Sequence, residues 1–289
     1  MEDPFPRFTV EGPSPEEPPR KGSIHPTSII HPSAEIDPTA EIGPYAVIGE
    51  GTSVGPGTFV GAHAVVEFAE VGAACRIHPH AFVGTAPQDL KYRGEKTRIV
   101  IGDGTIVREC ATLNRGTART GETRIGSRCL FMAYSHVAHD SVIEDEVILA
   151  NSVAVAGHVQ VGAGVIIGGL SGIHQFVRIG KLAMIGAGSM VPMDIPPFCT
   201  ASGDRARIVG LNIEGMRRRH VSKNSIDSLK RIYRKVFFSK KPLKQVLEQA
   251  GSEAAGEEAR EFIGFVRASS QRGICRPKLK AETSASQTW

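Results

Sequence analysis

Along most of this chain an apolar residue falls at every sixth position. Stepping by six from residue 30 meets Ile30, Ile36, Ile42, Ile48, Val54, Val60 and Val66. The phase then slips by one residue, and Val71, Ile77 and Val83 carry the step on; Ile101, Val107 and Leu113 resume it after an interruption. The longest run is Ile125, Phe131, Val137, Ile143, Leu149, Val155, Val161, Ile167, Ile173, Ile179, Ile185 and Val191, twelve positions without a miss. A helix repeats at 3.6 residues and a strand at 2, so neither gives a strict six. Hexapeptide β-helix repeats do. Each unit predicts a short strand and a corner, with one aliphatic side chain turned inward. Three units close a triangular coil of about 18 residues, and coils stack at about 4.8 Å, the spacing of neighbouring strands. Gly or Asn is expected at corners that need positive φ.

The repeat predicts a solenoid over residues 23–197. Two polar segments, 84–100 (GTAPQDLKYRGEKTRIV) and 114–124 (NRGTARTGETR), are too long for corners. Such insertions usually gather on one face, often the binding face, although they can also be tolerated decoration. The repeat ends at PMDIPPF (192–198). A helical pattern begins near Asn212 and is clearest over 223–238, where Ile226, Leu229, Ile232 or Tyr233, and Val236 share one face. Further helices are expected over 242–250 and 254–268. Together, residues 198–272 read as a helical domain that covers the open strand edges at the end of the solenoid. Residues 1–22, with PSPEEPP, and 273–289 read as disordered tails.

Composition fits a narrow interior: 41% of the 289 residues are hydrophobic but only 6% aromatic, with one Trp. No run of 18 apolar residues exists, which excludes a transmembrane helix. The start, MEDPFPRF, has neither a basic nor an apolar signal region. Five Cys (75, 110, 129, 199, 275) are scattered and never paired as CxxC, as expected of a reducing, cytoplasmic compartment without disulfides or a zinc knuckle. The formal charge of +4 hides an asymmetry. Residues 216–248 hold eleven Lys/Arg and two acids, so this segment carries +9 and the rest of the chain −5. A basic segment on an acidic body suggests an anionic partner, or else a solvated helix face. No nucleic-acid motif accompanies it.

Among ten histidines, His136 and His139 lie in SHVAHDS, His158 in AGHV and His174 in GIHQF. Residues eighteen apart stack, so His139 should lie over Gly157 and Asp140 over His158. An imidazole is a general base near neutral pH, and a Gly N–H one coil away could receive an oxyanion. Histidines merely decorating a flank, or a metal site, are the alternatives. Metal-ligand spacing is not evident, and no metal is expected.

The chain resembles the UDP-N-acetylglucosamine O-acyltransferase family, which begins lipid A biosynthesis. The resemblance runs from about residue 23 to 270. It rests on QDLKYRGE (88–95), NRGT (114–117), HVAHD (136–140), LAN (149–151), AGHV (156–159), GIHQF (172–176) and NIEGMRRR (212–219). It implies an all-β left-handed parallel β-helix followed by a C-terminal α-helical domain, in a cytoplasmic homotrimer with its sites between neighbouring solenoids. A 3-hydroxyacyl group would pass from acyl carrier protein to the glucosamine 3-position of UDP-N-acetylglucosamine. No cofactor is implied beyond the phosphopantetheine that arrives on the donor. His139 would be the general base, Asp140 its orienting acid, and the Gly157 N–H the oxyanion donor. The resemblance places Lys91, His136, His158, His174 and Gln175 around the sugar and acyl chain, and Gln88 and Asp89 near the acyl hydroxyl. It places Ala187 at the depth of the acyl groove, and Asn212, Glu214, Arg218 and Arg219 at the nucleotide end. One position departs: Asn114 stands where well-known members carry His, and both a 3-hydroxyl and a 3-amino acceptor stay open. A sibling N-acyltransferase would need an extra N-terminal sugar-binding domain, and a catalytically silent scaffold is the remaining alternative.

Overall fold

The computed structural model describes residues 22–268 and 270–277. From Ser23–Ile24 to Met190–Val191 the chain forms 26 short strands, most of two residues, and each of the first 23 pairs in parallel with the strand three further on. Three flat sheets result. Sheet A begins at Ser23–Ile24, sheet B at Ile29–Ile30 and sheet C at Glu35–Ile36. This is the expected left-handed parallel β-helix with a C-terminal helical domain. Of each strand pair the second residue points inward, as in Val47–Ile48 and Gln160–Val161. Along the ordinary coils the partner lies eighteen residues away, as in Val137↔Val155 and Val155↔Ile173.

The interruptions are absorbed at corners, and the ladder continues past them with one register shift, between Val83 and Thr85 where Phe82–Thr85 pairs with Thr112–Asn114. Across the slip the offset becomes seventeen (Val54↔Val71), across the first insertion thirty (Val71↔Ile101), and across the second twenty-four (Ile101↔Ile125). The two insertions are smaller than the sequence suggested. Strands Phe82–Thr85, Arg98–Ile101 and Glu122–Ile125 extend into them, leaving loops 86–97 and 115–121. Inside the coils most side chains are aliphatic, with small Cys, Thr and Ser such as Cys75, Cys129, Thr105 and Ser141 among them, and Phe131 is the one ring fully enclosed there among the described residues. Phe198 closes the last coil.

The corners differ from expectation. Most of their positive-φ residues are not Gly, and none is Asn: Tyr45, His63, His80, Asp140, His158 and Phe176 all have φ between 57° and 66°. An L-residue there costs roughly 1–2 kcal/mol. Stacking along the corner offsets it. The rings of Tyr45 and His63 lie 5.0 Å apart, His63 and His80 5.1 Å, and His158 and Phe176 4.7 Å.

The end of the solenoid is sealed first by backbone. An antiparallel hairpin, Cys199–Ser202 with Arg207–Leu211, extends sheet A beyond Met184–Ile185; the helical pattern had not suggested it. Met190 bridges to Asp204 at the end of sheet B, and Ile179 to Ile195 at the end of sheet C. Among the described residues four helices follow: α1 (Ile213–Arg218), α2 (Lys223–Phe238), α3 (Leu243–Glu253) and α4 (Glu257–Arg267). Ile226, Leu229, Ile232 and Val236 of α2 are buried with Phe262, Ile263 and Val266 of α4. Residues 273–277, expected in a disordered tail, are instead part of the seal. The Asp194 N–H donates to the Gly273 carbonyl, the Cys275 N–H donates to the Asp194 carbonyl, and Cys275 is buried. The tail expectations for 1–21 and 278–289 lie outside the described residues.

Asp194 joins these parts. It is wholly buried, and Arg178 donates to it through its backbone N–H (2.9 Å) and its Nε (2.7 Å). Asp194→Ala should lower the unfolding free energy by about 3–5 kcal/mol in urea denaturation, because it strands a largely buried guanidinium.

Candidate active site

The corner joining sheet B to sheet C gathers most of the candidate residues. Coil by coil it holds the slip at Glu67–Phe68, loop 86–97, loop 115–121, His139–Asp140, Gly157–His158 and Gln175–Phe176. Both insertions therefore stand on the two coils immediately before the histidine pair. His139 and Asp140 are 6% and 5% exposed. His139 Nδ1 lies 2.7 Å from Asp140 Oδ2. Thr117 donates its N–H to Oδ1 (2.9 Å) and its hydroxyl to Oδ2 (2.7 Å), and the Thr120 hydroxyl donates to Oδ1. Burial by itself would raise the Asp140 pKa, but the hydrogen bonds from Thr120, His139 and Thr117 outweigh it and hold the group down at about 2. The carboxylate is thus ionised and accepts only. The proton between the pair therefore sits on Nδ1, which leaves Nε2 as the ring nitrogen turned away from Asp140.

One coil on, the His158 N–H donates to the His139 carbonyl at 3.0 Å, which sets Gly157 against the His139 ring. A Cβ on Gly157 would stand 2.7 Å from His139 Cε1 and 2.8 Å from Nε2, so any side chain would displace the imidazole. The Gly157 N–H has no acceptor among the described residues. His158 Nε2 lies 3.5 Å from Asp140 Oδ2, and its ring meets that of His139 edge-on. Burial lowers the His158 pKa despite Asp140, and burial likewise lowers that of His136, whose Nδ1 lies 2.7 Å from the Thr112 hydroxyl. Both rings are neutral at pH 7 and serve as hydrogen-bonding walls.

Beside this corner a groove of about 810 Å³ runs along sheet B. Gln88, His136, His139, Gly157, His174 and Gln175 line it, with Asp140 and His158 behind His139. Asp89 and Lys91 lie on the adjoining loop, where the Lys91 N–H donates to Asp89 Oδ1 at 2.9 Å. That loop is clamped by the buried Arg115, which donates to the Tyr92 hydroxyl (3.0 and 3.1 Å) and the Gly84 carbonyl (2.7 Å) and pairs with Glu67 (3.1 Å). Asn114 is buried beside it and donates to the Thr85 hydroxyl at 3.1 Å.

The remaining candidates stand elsewhere. Ala187 lies exposed on the corner between sheets A and B. Asn212, the N-cap of α1, donates to the carbonyl of Leu182, and Arg219 pairs with Glu146; both partners are residues of the corner between sheets C and A. Glu214 lies 3.4 Å from Arg218 on the same helix. The candidates thus occupy three different corners of the single chain. Sequence reasoning missed Thr117, Thr120, Arg115, Arg205 and Arg272; the last donates to the Gln175 carbonyl at 2.6 Å from ninety-seven residues away. Ala187 could have been placed, since it lies forty-eight residues from His139, which is not a multiple of eighteen.

His139, Asp140 and His158 also bring metal-binding atoms within 4.8 Å of one another. The donor set fits a cation poorly. Thr117, Thr120 and His139 already occupy about four lone-pair positions of the Asp140 carboxylate, and a metal would have to displace them.

A family model described as UDP N-acetylglucosamine O-acyltransferase, domain 2, matches residues 194–275. The acyl-[acyl-carrier-protein]–UDP-N-acetylglucosamine O-acyltransferase of Synechocystis sp. is 45% identical over 201 residues, which are 70% of this chain and 73% of that one. The protein of the same name from Anaeromyxobacter sp. (strain Fw109-5) is 49% identical over 208 residues, 71% and 80% of the two chains. Among solved structures, the UDP-N-acetylglucosamine O-acyltransferase of Moraxella catarrhalis superposes with a TM-score of 0.85 at 41% identity, covering 88% of this chain and 99% of that one. The UDP-N-acetylglucosamine acyltransferase of Francisella novicida gives 0.86 at 31% identity, covering 92% and 100%.

Thr120→Val should raise the Asp140 pKa toward its usual 3.8, read by NMR titration of the carboxyl carbon. Because the folded pKa is the depressed one, the associated stability, about 2 kcal/mol, is present above pH 4 and lost as pH falls toward 2. Wild type and variant should therefore differ in unfolding free energy at pH 5 and converge near pH 2.

Proposed function

Since this chain belongs to the UDP-N-acetylglucosamine O-acyltransferase family, we propose that it moves a 3-hydroxyacyl group from acyl carrier protein to the glucosamine 3-position of UDP-N-acetylglucosamine, the first step of lipid A biosynthesis. The observation that carries the mechanism is the His139–Asp140 pair with Gly157 one coil on. His139 Nε2 takes the proton of the acceptor as its oxygen (or nitrogen, for a 3-amino acceptor) attacks the thioester carbonyl. Asp140, held ionised by two threonines, stabilises the imidazolium that forms. The Gly157 N–H donates to the oxyanion of the tetrahedral intermediate. Collapse breaks the carbon–sulfur bond, and the imidazolium returns its proton to the departing thiolate. His136, His158, His174, Gln175 and Lys91 bound the sugar and the start of the acyl chain; Gln88 and Asp89 face the acyl hydroxyl. The thioester is already activated, so no resident cofactor or metal takes part.

The nucleotide is taken by Asn212, Glu214, Arg218 and Arg219, the arginines pairing with phosphate oxygens. These lie on another corner of the same chain, and a homotrimer reconciles the two. With the A–B corners turned to a threefold axis, sheet B of one subunit faces sheet A of the next. The His139 corner then meets the neighbour's Asn212 corner across a wedge-shaped cleft. The outer faces favour this arrangement. Sheet A presents Ile106, Leu130, Ile148, Ile166 and Met184 in successive coils, with Ile166 38% and Met184 40% exposed, whereas sheet C mixes Val100 and Val142 with Glu70, Arg98, Glu122 and Arg124. The substrates place the reaction in the cytoplasm. Among the described residues no helix is long and apolar enough to cross a membrane, and all five cysteines are free thiols.

His139→Ala should cut transfer from the acyl-carrier thioester by about 10²- to 10⁴-fold without unfolding the protein; wild-type rates in the variant would remove His139 from its role. The exposed Arg231, Arg234 and Lys235 on α2 form the surface for acidic acyl carrier protein, joined by Lys230, which also pairs with Asp227 at 3.2 Å. Reversing the first three to Glu should raise the KM for acyl carrier protein, most at low salt, and leave the KM for the nucleotide sugar unchanged.

A further inference from the structure

Loop 115–121 leaves the corner between sheets B and C one coil before Asp140, as a tight turn in which the Gly121 N–H donates to the Thr117 carbonyl at 2.8 Å. Thr117 and Thr120 anchor it to Asp140 on either side of Arg119, and the Arg119 N–H donates to the Thr117 hydroxyl at 3.3 Å. The backbone of Arg119 is therefore held, while its side chain is exposed. The guanidinium reaches along the corner to the coil of Phe176 and lies over that ring, 5.2 Å from its centroid. Its charge is felt at His158, between the two: burial is the main cause of the lowered His158 pKa, and Arg119 adds to it. Arg98, Arg115, Arg124 and Arg128 each pair with a carboxylate. Arg119 pairs with none among the described residues. A guanidinium lying on a ring keeps the N–H donors around its edge available, in the fork that matches phosphate oxygens.

Which phosphate it takes follows from where it stands. Arg219 pairs with Glu146, and a Cβ on Gly164 would stand 3.6 Å from its Nη2. Glu146 and Gly164 belong to the coils of Asp140 and His158. A threefold axis along the solenoid leaves height unchanged, so the neighbour's Arg219 faces the same coils that Arg119 spans. In the nucleotide sugar the diphosphate is bonded to the ring carbon two along from the one that bears the acceptor group. In the donor the whole pantetheine arm separates the phosphate from the sulfur. A cation one coil from the His139 base thus meets the phosphate of the acceptor. As an extension of the acyltransferase reading above, we infer that Arg119 binds the diphosphate of UDP-N-acetylglucosamine from the subunit that carries His139, opposite Arg218 and Arg219 of the next.

The test compares two KM values. The purified full-length protein and its Arg119→Leu and Arg119→Lys variants are assayed with UDP-N-acetylglucosamine varied at saturating 3-hydroxyacyl donor on acyl carrier protein, and then the reverse. Arg119→Leu keeps an apolar body over Phe176 and removes the charge. It should raise the KM for the nucleotide sugar by about 10-fold or more, the range of a hydrogen bond to a charged group, and leave the KM for the donor where it was. Calorimetric titration with UDP, with no donor present, should show the same loss of affinity, and both differences should shrink at high salt. Arg119→Lys, which has the charge without the fork, should fall between. Unchanged KM values, equal rises in both, or a fall in kcat alone would overturn the inference and leave the acyltransferase reading standing. A rise in the donor's KM alone would assign Arg119 to the phosphate of the pantetheine arm and overturn it too. Absence of transfer by the unaltered chain would overturn the acyltransferase reading, and this role of Arg119 with it.

Discussion

The coil repeat is the constraint on which everything else depends. One aliphatic side chain must enter the prism every sixth residue, and each strand must lie in register on the strand of the coil before it. Burial fixes the first condition and backbone hydrogen bonding the second. Together they convert sequence separation into position: residues eighteen apart stand over one another, whatever they are. His139 meets Gly157 and Asp140 meets His158 for no other reason. Insertions can enter at corners alone, because a corner is the one place where added chain leaves the ladder's partners unchanged. The offsets of thirty and twenty-four exceed eighteen by whole multiples of six.

That rule also explains why the chemistry clusters. Both insertions leave the same corner on consecutive coils, and the second folds over the next coil to fill the Asp140 carboxylate with threonine donors. A flat sheet face could not do this, since its side chains project as separate columns. The corner supplies convergence, and the loops supply the polar partners that a hexapeptide repeat lacks. A charged group in so confined a place is held ionised by four donors, with burial opposing them.

How much of this was legible in the sequence follows the same division. Wherever the period ran, position could be read: the ladder, the inward residues and the histidine stack all come from counting, and the apolar face of α2 from its 3.6-residue spacing. Where the chain leaves the period, counting gives out. The hairpin of Cys199–Ser202 and Arg207–Leu211 is antiparallel and closes across a turn, so no repeat announces it. Thr117 and Thr120 reach Asp140 because a loop folds back over a corner, and Arg272 reaches Gln175 because the chain returns after the helices. The segment 273–277 looked like tail because a stretch as short as GICRP carries no period, and nothing in it shows that Asp194 would present backbone groups to it.

Asp140 sits at a left-handed corner, with φ of 59°. Two demands therefore meet in one residue. The backbone asks for a side chain that tolerates this conformation, which Asp, Asn and Gly do better than other residues. The imidazole beside it asks for a negative charge, which among those three only Asp provides. Glu occupies the same corner conformation elsewhere in this chain, at Glu146 (φ 59°), so replacing Asp140 by Glu keeps the corner and the charge but carries the carboxylate one methylene away from its threonine donors; replacing it by Asn keeps the corner and the position and loses the charge. A comparison of the two separates where the charge stands from whether it is there.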